Sequence, residues 1–445
     1  MTLKQTMIRG TLVLTGAGLA SRFMGFFFRI FLSHAFGEEN VGLYQLVFPV
    51  YALCVSVGIA GIETALSRTV AEKISLGRKT EAVSALYAAL ILTVSLSFLA
   101  VLIVQQNTVF IAETFLGDAR CAPLLVIITY ALPCAAVHSC ICGYSFGMQR
   151  TRIPALSQLA EQTGRILTVV LLFFLLRENG RIPSIQLAAA GIVAGELISA
   201  FVSSRLLFRD FRPSPRPGPI RLCRSAAGLI RLSAPLTANR TAVTLLQSVE
   251  AASIPACLKL YGMSTSESLS TYGVLTGMAL PCILFPSAIT SSVSTMLLPA
   301  VTTAQASGKK KDLALLVSRA AGSCFILGLS CCLFFLLTGN LIGSLLFHSS
   351  TAGKFILTLA WICPFLYTNA ALGSTINGLG KTGFTFLIST SGLLVRIASV
   401  FLAIPRFGIQ GYLWGLLASQ MLVSLLSLIT LFTAGRSRKP GKTAS

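Results

Sequence analysis

Long apolar stretches follow one another along almost the whole chain, and they limit its fold more than any other feature. A transmembrane helix needs about 20 predominantly apolar residues. Twelve stretches meet this requirement, near residues 8–35, 41–66, 83–105, 121–147, 153–176, 185–208, 225–250, 270–298, 313–338, 355–378, 382–404 and 409–434. Only 11% of the residues are charged, against roughly 25% in a soluble domain. The sequence therefore excludes a soluble globular protein and predicts an all-α integral membrane protein with about twelve transmembrane helices.

An even number of spans places both chain ends on one side of the membrane, and the Lys and Arg residues identify that side. In the connecting segments, twenty-two of them lie on the side of the termini and six on the opposite side. Cationic loops stay cytoplasmic. We therefore predict a multi-pass protein of the plasma membrane with both termini in the cytoplasm. The first apolar stretch is longer than a signal peptide and is interpreted as a retained span.

The longest polar interruption, residues 209–224, contains four prolines and five arginines, a composition typical of a linker. It predicts an N-terminal six-helix lobe (1–208), this basic cytoplasmic linker (209–224), a C-terminal six-helix lobe (225–434) and a basic cytoplasmic tail (435–445). Segments 66–86 and 297–317 resemble each other, and each follows the second helix of its half. This similarity favours a duplicated six-helix unit.

Neither bond chemistry nor metal binding is expected from the sequence. No Walker A, GxSxG or HExxH pattern occurs, the cysteines are spread through apolar runs without a CxxC pair, and the three histidines are far apart. We predict a protein that is not an enzyme and has no cofactor or metal, with a coupling ion or the membrane potential as the open energy source. Nucleic acid is not an expected partner, because the cationic residues are embedded among apolar stretches.

Arginines inside the apolar stretches are the clearest functional signal. An ionisable side chain at the centre of a membrane helix costs at least about 2.5 kcal/mol and normally faces a cavity or a partner. Arg22 and Arg29 are two helical turns apart on the first span and share one face. Arg240, on the first span of the second half, is the third candidate. Because a guanidinium presents a planar fork of donors to phosphate oxygens, we predict that these three residues bind an anion, especially a phosphate or a diphosphate.

Five further charged residues of the spans are candidates for a secondary cavity site or for coupling: Glu63, Glu161, Arg165, Glu196 and Arg396. Glu161 and Arg165 are four residues apart and are interpreted as a pair that neutralises itself along one helix. The glutamates keep open a cation-coupled multidrug antiporter on the same fold. A non-transporting membrane scaffold for cell-wall synthesis is a further alternative.

Segments 16–53, 60–72 and 270–301 resemble the stage V sporulation protein B-like branch of the polysaccharide transporters. This branch belongs to the multidrug/oligosaccharidyl-lipid/polysaccharide (MOP) exporter superfamily. The resemblance implies a MATE-like, V-shaped fold of two six-helix bundles and alternating access. The SRxxG motif of the family's first helix falls on Ser21, Arg22 and Gly25, and the arginine that follows it is Arg29.

The same resemblance implies a function. Relatives in this superfamily include lipid II flippases, so we expect a flippase or exporter of an anionic, polyprenyl-diphosphate-linked saccharide. Peptidoglycan lipid II or a related cell-surface polysaccharide precursor is the expected substrate. The expected partners are this lipid-linked saccharide, the lipid bilayer and enzymes of cell-wall synthesis.

Overall fold

The computed structural model describes residues 3–210, 218–306 and 310–436. Helices are the only regular secondary structure in these residues, as the apolar periodicity predicts. The chain divides into two compact units, Met1–Ala252 and Ser253–Ser445.

The first unit contains eight helices and most of a ninth. They are α1 (Leu3–Val55), α2 (Gly61–Ser75), α3 (Lys79–Gln106), α4 (Thr108–Phe110), α5 (Cys121–Thr129), α6 (Ala131–Gly147), α7 (Arg152–Glu178), α8 (Gln186–Asp210) and α9 (Pro219–Leu260). Two π-helical segments, Ser56–Ala60 and Ile111–Phe115, interrupt this series.

The second unit contains the end of α9 and nine further helices. They are α10 (Thr265–Gly273), α11 (Leu280–Leu284), α12 (Ser287–Ala306), α13 (Lys310–Phe347), α14 (Ser350–Ala360), α15 (Cys363–Gly378), α16 (Thr382–Leu402), α17 (Ile404–Phe407) and α18 (Ile409–Arg436). A π-helical segment, Val274–Ala279, follows α10.

The described residues contain nine helices that are long and apolar enough to cross a membrane, and two bent pairs raise the number to eleven. One of the nine, Leu12–Ser75, has 64 residues, and a straight helix of that length would extend about 96 Å, three times the roughly 30 Å of a hydrocarbon core. A break at Gly37 divides it into two spans. With that division the described residues contain up to twelve candidate spans, in agreement with the predicted number of about twelve.

The break in α1 depends on a backbone conformation that only glycine adopts readily. Gly37 has φ 77° and ψ 170°, a region essentially closed to residues with a Cβ. Arg120, just before α5, donates to Glu39 Oε1 over 2.6 Å and to Asp118 Oδ2 over 2.9 Å, so it ties the chain just after the break to the start of α5. The hydrogen bond to Asp118, and to a lesser extent the one to Glu39, raises the pKa of the Arg120 guanidinium, which stays charged.

The predicted linker 209–224 falls partly outside the described residues, which omit 211–217. Residues 209–210 belong to the end of α8, and 219–224 form the beginning of α9. Of the predicted tail 435–445, only the first two residues are described, as the end of α18. The division into two six-helix lobes stays a prediction.

Close packing of α7 against α8 sets the position of several polar side chains. Gly191 and Gly195 form a GxxxG pattern on α8, and small residues at this spacing let membrane helices approach. A Cβ atom built on Gly195 would lie 2.9 Å from the backbone oxygen of Glu161 and 3.2 Å from Cβ of Arg165. The absence of a side chain at Gly195 therefore brings α8 against the charged turn of α7.

Large apolar side chains remain exposed along the outer faces of the long helices. Leu102 on α3 is 56% exposed and Leu337 on α13 is 76% exposed. Helices satisfy their own backbone hydrogen bonds, so such surfaces are stable in hydrocarbon. The exposed apolar faces fit a multi-pass membrane protein.

Candidate functional site

A cavity of about 240 Å³ lies in the first unit between α1 and α7. Residues on both sides of the Gly37 break contribute to its wall, so the two spans of α1 and the helix α7 enclose it. The lining residues are Ser21, Arg22, Gly25, Phe28, Arg29, Leu32, Tyr44, Gln45, Phe48, Gln162 and Arg165. We call it the arginine cavity, because three of its lining residues carry a guanidinium group.

The two arginines predicted as a cationic wall, Arg22 and Arg29, both line this cavity. Arg22 is exposed and Arg29 is half-buried. Arg165 of α7 completes the cationic group and lies close enough to Arg29 for electrostatic repulsion between the two guanidinium groups. Three positive charges around one small cavity within a membrane span favour an anionic occupant.

Two buried polar atoms on the cavity wall have no hydrogen-bond partner within the described part of the chain. They are Oγ of Ser21 and Nε of Arg165. Buried polar groups in folded proteins are nearly always hydrogen-bonded, so an orphaned one marks a place for water or a ligand. The arginine cavity thus has polar groups to offer an oxygen-rich ligand as well as positive charge.

Next to the arginine cavity lies a group of polar side chains, the carboxylate cluster, which comprises Tyr51, His138, Glu161, Arg165 and Glu196. Arg165 Nη2 donates to Glu161 Oε1 over 2.5 Å, as the spacing along the helix predicts. Nδ1 of His138 lies 3.7 Å from Glu196 Oε2, and the Tyr51 hydroxyl donates to Glu196 Oε1 over 3.3 Å. Arg165 belongs to both the cluster and the cavity.

Three members of the carboxylate cluster have the chemistry of metal ligands. One ligand atom each from His138, Glu161 and Glu196 lies within 4.8 Å of the other two. The guanidinium of Arg165 already supplies a positive charge to Glu161. The prediction that the chain binds no metal stays a prediction.

The other predicted site residues lie elsewhere. Arg240 is exposed on α9, is not among the described residues of the cavity wall, and interacts electrostatically with Glu63 of α2. Glu63 is half-buried and also interacts with His138. Arg396 is half-buried on α16 in the second unit.

A larger cavity of about 1060 Å³ borders earlier turns of the same two helices. It is lined by Gly10, Leu12, Val13, Gly16 and Ala17 of α1, by Gln149, Arg150, Thr151, Arg152, Ile153, Ala155, Leu156 and Leu159 at the start of α7, and by Leu206 and Arg209 of α8. Its wall combines apolar side chains with three arginines. Both cavities beside α1 and α7 therefore have three arginines in their walls.

His138, Tyr51, Tyr44 and Gln162 are site residues that sequence reasoning missed. One signal was present for His138, because it is an ionisable residue inside an apolar stretch, the criterion that singled out the arginines. The others carry no such signal, because a tyrosine or glutamine in a membrane helix gains a role only through what it faces.

Comparison with known sequences identifies the family to which the chain is similar. Residues 7–305 match the family described as "Polysaccharide biosynthesis protein". Stage V sporulation protein B of Bacillus subtilis (strain 168) is 30% identical over 442 residues, which cover 96% of this chain and 84% of that protein.

Solved structures with a similar fold are transporters. The lipid II flippase MurJ in an inward closed conformation superposes with a TM-score of 0.72 at 13% identity, covering 95% of this chain and 87% of that one. An inward-facing multidrug resistance MATE family transporter of the MOP superfamily gives a TM-score of 0.70 at 13% identity, with 94% of each chain covered. At this identity the likeness shows the fold, and it confirms the predicted MATE-like architecture.

Proposed function

The chain belongs to the polysaccharide biosynthesis protein family of membrane transporters, and we propose that it flips an anionic, polyprenyl-diphosphate-linked saccharide across the plasma membrane by alternating access. It is a multi-pass membrane protein and not an enzyme. The proposed substrate is peptidoglycan lipid II or a related cell-surface polysaccharide precursor. The proposed orientation places both termini in the cytoplasm, on the side of the Lys- and Arg-rich connections.

One observation carries the substrate class, namely the convergence of Arg22, Arg29 and Arg165 on a single cavity inside the membrane spans. A diphosphate presents several charged oxygens, and guanidinium groups bind them through paired, charge-assisted hydrogen bonds. The small volume of about 240 Å³ suits the diphosphate itself, whereas the polyprenyl chain would remain in hydrocarbon between helices.

The test is complementation of a strain depleted of its lipid II flippase, with lipid II accessibility at the outer leaflet as the measurement. We expect the wild-type protein to restore this accessibility. The double variant Arg22→Ala, Arg29→Ala should abolish the effect without lowering the amount of protein in the membrane. Arg68→Ala, which alters an exposed arginine of α2 away from both cavities, is the matched control and should behave as wild type.

The outcomes separate the alternatives. Failure of the well-expressed wild-type protein to restore accessibility would exclude lipid II and direct the assay to other polyprenyl-diphosphate saccharides. Full activity of the double variant would contradict the diphosphate site altogether and favour a scaffold that recruits cell-wall enzymes.

A second candidate function is a cation-coupled multidrug antiporter, and the observation that favours it is the pair of membrane carboxylates Glu161 and Glu196. An organic cation needs such negative charge in its pathway. However, Glu161 is already paired with Arg165. A drug-susceptible strain expressing the protein should therefore gain no resistance, and a resistance lost in the variant Glu196→Gln would favour the antiporter.

A further inference from the structure

The carboxylate cluster joins four apolar helices that are candidate membrane spans, where an uncompensated charge costs free energy. Tyr51 comes from α1, His138 from α6, Glu161 and Arg165 from α7, and Glu196 from α8. No member is exposed, since all five side chains are half-buried. Ionisable groups in such a setting persist when they compensate one another.

The contacts of Ser157 favour one tautomer of His138. The Ser157 hydroxyl lies 3.1 Å from the backbone oxygen of Pro154 and donates its only hydrogen there. Nε2 of His138 lies 3.0 Å from the same hydroxyl oxygen, and a hydrogen on Nε2 satisfies both contacts at once.

The other ring nitrogen then faces a carboxylate. Nδ1 of His138 lies 3.7 Å from Glu196 Oε2, while Tyr51 donates to the other carboxylate oxygen. If Nδ1 carried no proton, its lone pair would repel the lone pairs of the carboxylate. One proton, bound either to Nδ1 of His138 or to the carboxylate of Glu196, removes this repulsion.

With this proton the cluster is neutral, because the two negative charges of Glu161 and Glu196 are balanced by the positive charge of Arg165 and by that of the proton. Titratable groups of neighbouring helices interact electrostatically with its members. They are Arg29 and Tyr44 of α1, Glu63 of α2, and Cys134 and Cys142 of α6, and Arg240 of α9 interacts in turn with Glu63. Arg29 places a like charge near Arg165 and adds no negative charge to the cluster.

Arg165 connects the cluster to the arginine cavity. Its Nη2 holds Glu161, its Nε has no partner within the described residues, and its side chain lines the cavity wall. A diphosphate in the cavity competes with Glu161 for this guanidinium. When Arg165 turns to the phosphate, Glu161 loses its counter-charge and the cluster is left with one negative charge in excess.

We propose that His138, Glu161 and Glu196 form a proton-binding site linked through Arg165 to the arginine cavity, so that diphosphate binding and the uptake of one further proton favour each other. The proton comes from water and takes the place of the Arg165 charge beside Glu161. The linkage is reciprocal, because two ligands that share a coupling free energy change each other's affinity by the same factor. This inference rests on the proposed function, whose diphosphate is the second ligand.

The chemistry of the cluster favours a proton over a metal cation. Hard cations such as Na⁺, Ca²⁺ and Mg²⁺ prefer a shell of oxygen ligands, whereas this site contains an imidazole and a guanidinium. A proton needs only a basic atom with a second one close by, and Nδ1 of His138 lies 3.7 Å from Glu196 Oε2.

The first experiment tests the internal linkage without any ligand. The full-length protein, labelled with 15N-histidine, is placed in lipid nanodiscs, where its three histidines give few signals and the variant His138→Gln identifies that of His138. At a pH where the wild-type signal reports a mixture, Arg165→Gln should increase the ratio of protonated to neutral His138 by roughly tenfold. Glu161→Gln should decrease this ratio, and the double variant should return close to the wild-type ratio.

Equal ratios in all four proteins would overturn the proposal. A His138 signal that responds to added Zn²⁺ but not to pH would also overturn it, in favour of a metal site.

The second experiment measures proton uptake on binding farnesyl diphosphate, by titration calorimetry in two buffers of different ionisation enthalpy. The wild-type protein should take up about one proton more than Glu161→Gln. This variant should also bind farnesyl diphosphate roughly tenfold more tightly, because Arg165 is no longer held by a carboxylate through a charge-assisted hydrogen bond.

The two hypotheses fail in different ways. Binding with equal proton uptake by wild type and Glu161→Gln would contradict the linkage and leave the proposed function intact. Absence of farnesyl diphosphate binding to both the wild-type protein and Arg68→Ala would contradict the proposed function and the linkage to it.

Discussion

At the scale of single residues, what distinguishes this site is that its arginines are not equivalent. Arg29 is half-buried in the cavity wall, Arg22 is exposed, and Arg165 is shared with a carboxylate. A half-buried guanidinium is the one whose planar geometry matters most, because a rigid fork binds two phosphate oxygens at once.

We therefore expect Arg29→Lys to weaken binding of farnesyl diphosphate by roughly tenfold, although the charge is kept, because lysine acts as a point charge without the fork. Titration calorimetry on the purified protein measures this change. Arg68→Lys, on the exposed face of α2, is the control and should leave the affinity unchanged. Equal affinities for wild type and Arg29→Lys would mean that the cavity recognises charge alone.

Residue patterns predict some of these roles and not others. The seven-residue spacing of Arg22 and Arg29 is enough to place both on one helical face, and both residues line the same cavity. The pairing of Glu161 with Arg165 likewise follows from their spacing. The contact between His138 and Glu196 does not, because it depends on how α6 and α8 are rotated about their axes, and helical periodicity within one segment carries no information about its neighbour's rotation.

At the scale of helices, glycine controls two features that determine the site. Gly37 permits the reversal that brings both spans of α1 to the cavity, and Gly195 permits the approach of α8 to α7. The apolar runs predict that helices exist in these regions, and they predict the polar gap near residue 37. They do not predict the close α7–α8 approach, since GxxxG is only one of many small-residue spacings in this glycine-rich chain.

Replacement of Gly37 by alanine should destabilise the protein by about 1–3 kcal/mol, since a residue with a Cβ is strained at this φ and ψ. Thermal unfolding of the purified protein in detergent measures the loss. Gly18→Ala on the same helix is the matched control, because nothing lies within 4 Å of its added Cβ, and it should be neutral or slightly stabilising. A Gly37→Ala protein as stable as wild type would show that the turn can be made in another conformation.

A second prediction concerns the α7–α8 contact. Gly195→Ala should separate the two helices, because its Cβ would press on the backbone oxygen of Glu161, and overpacking of this kind costs about 1–3 kcal/mol. We expect a lower unfolding temperature together with altered proton uptake on farnesyl diphosphate binding. Gly18→Ala is again the control. Unchanged proton uptake in a destabilised Gly195→Ala protein would separate helix packing from the charge linkage.

At the scale of the whole molecule, the number of spans and the distribution of cations determine the orientation. Twelve spans would place both ends on one side, and the Lys- and Arg-rich connections predict that this side is the cytoplasm. This prediction can be made from the sequence alone, since hydropathy and charge counts depend little on tertiary contacts, and it stays a prediction. The predicted division into lobes is different, because a linker composition marks an interruption of the chain without specifying which helices pack together.

Reporter fusions test the orientation. Green fluorescent protein fused after residue 436 should fluoresce, because it folds in the cytoplasm, and alkaline phosphatase inserted between α7 and α8, at residues 179–185, should be active on the outer side. Alkaline phosphatase inserted between α2 and α3, at residues 76–78, is the control and should be inactive. The reverse pattern would place the termini outside and the larger cavity, of about 1060 Å³, on the outer face.

The arginine cavity also has a consequence for biosynthesis. Its lining residues fall between Ser21 and Arg165, so all of them precede the last third of the first unit and the entire second unit. A ribosome that has completed residue 165 has therefore already produced every group that lines the cavity, well before the second unit is synthesised. On the proposed function, recognition of the anion is encoded in the part of the chain that is synthesised first.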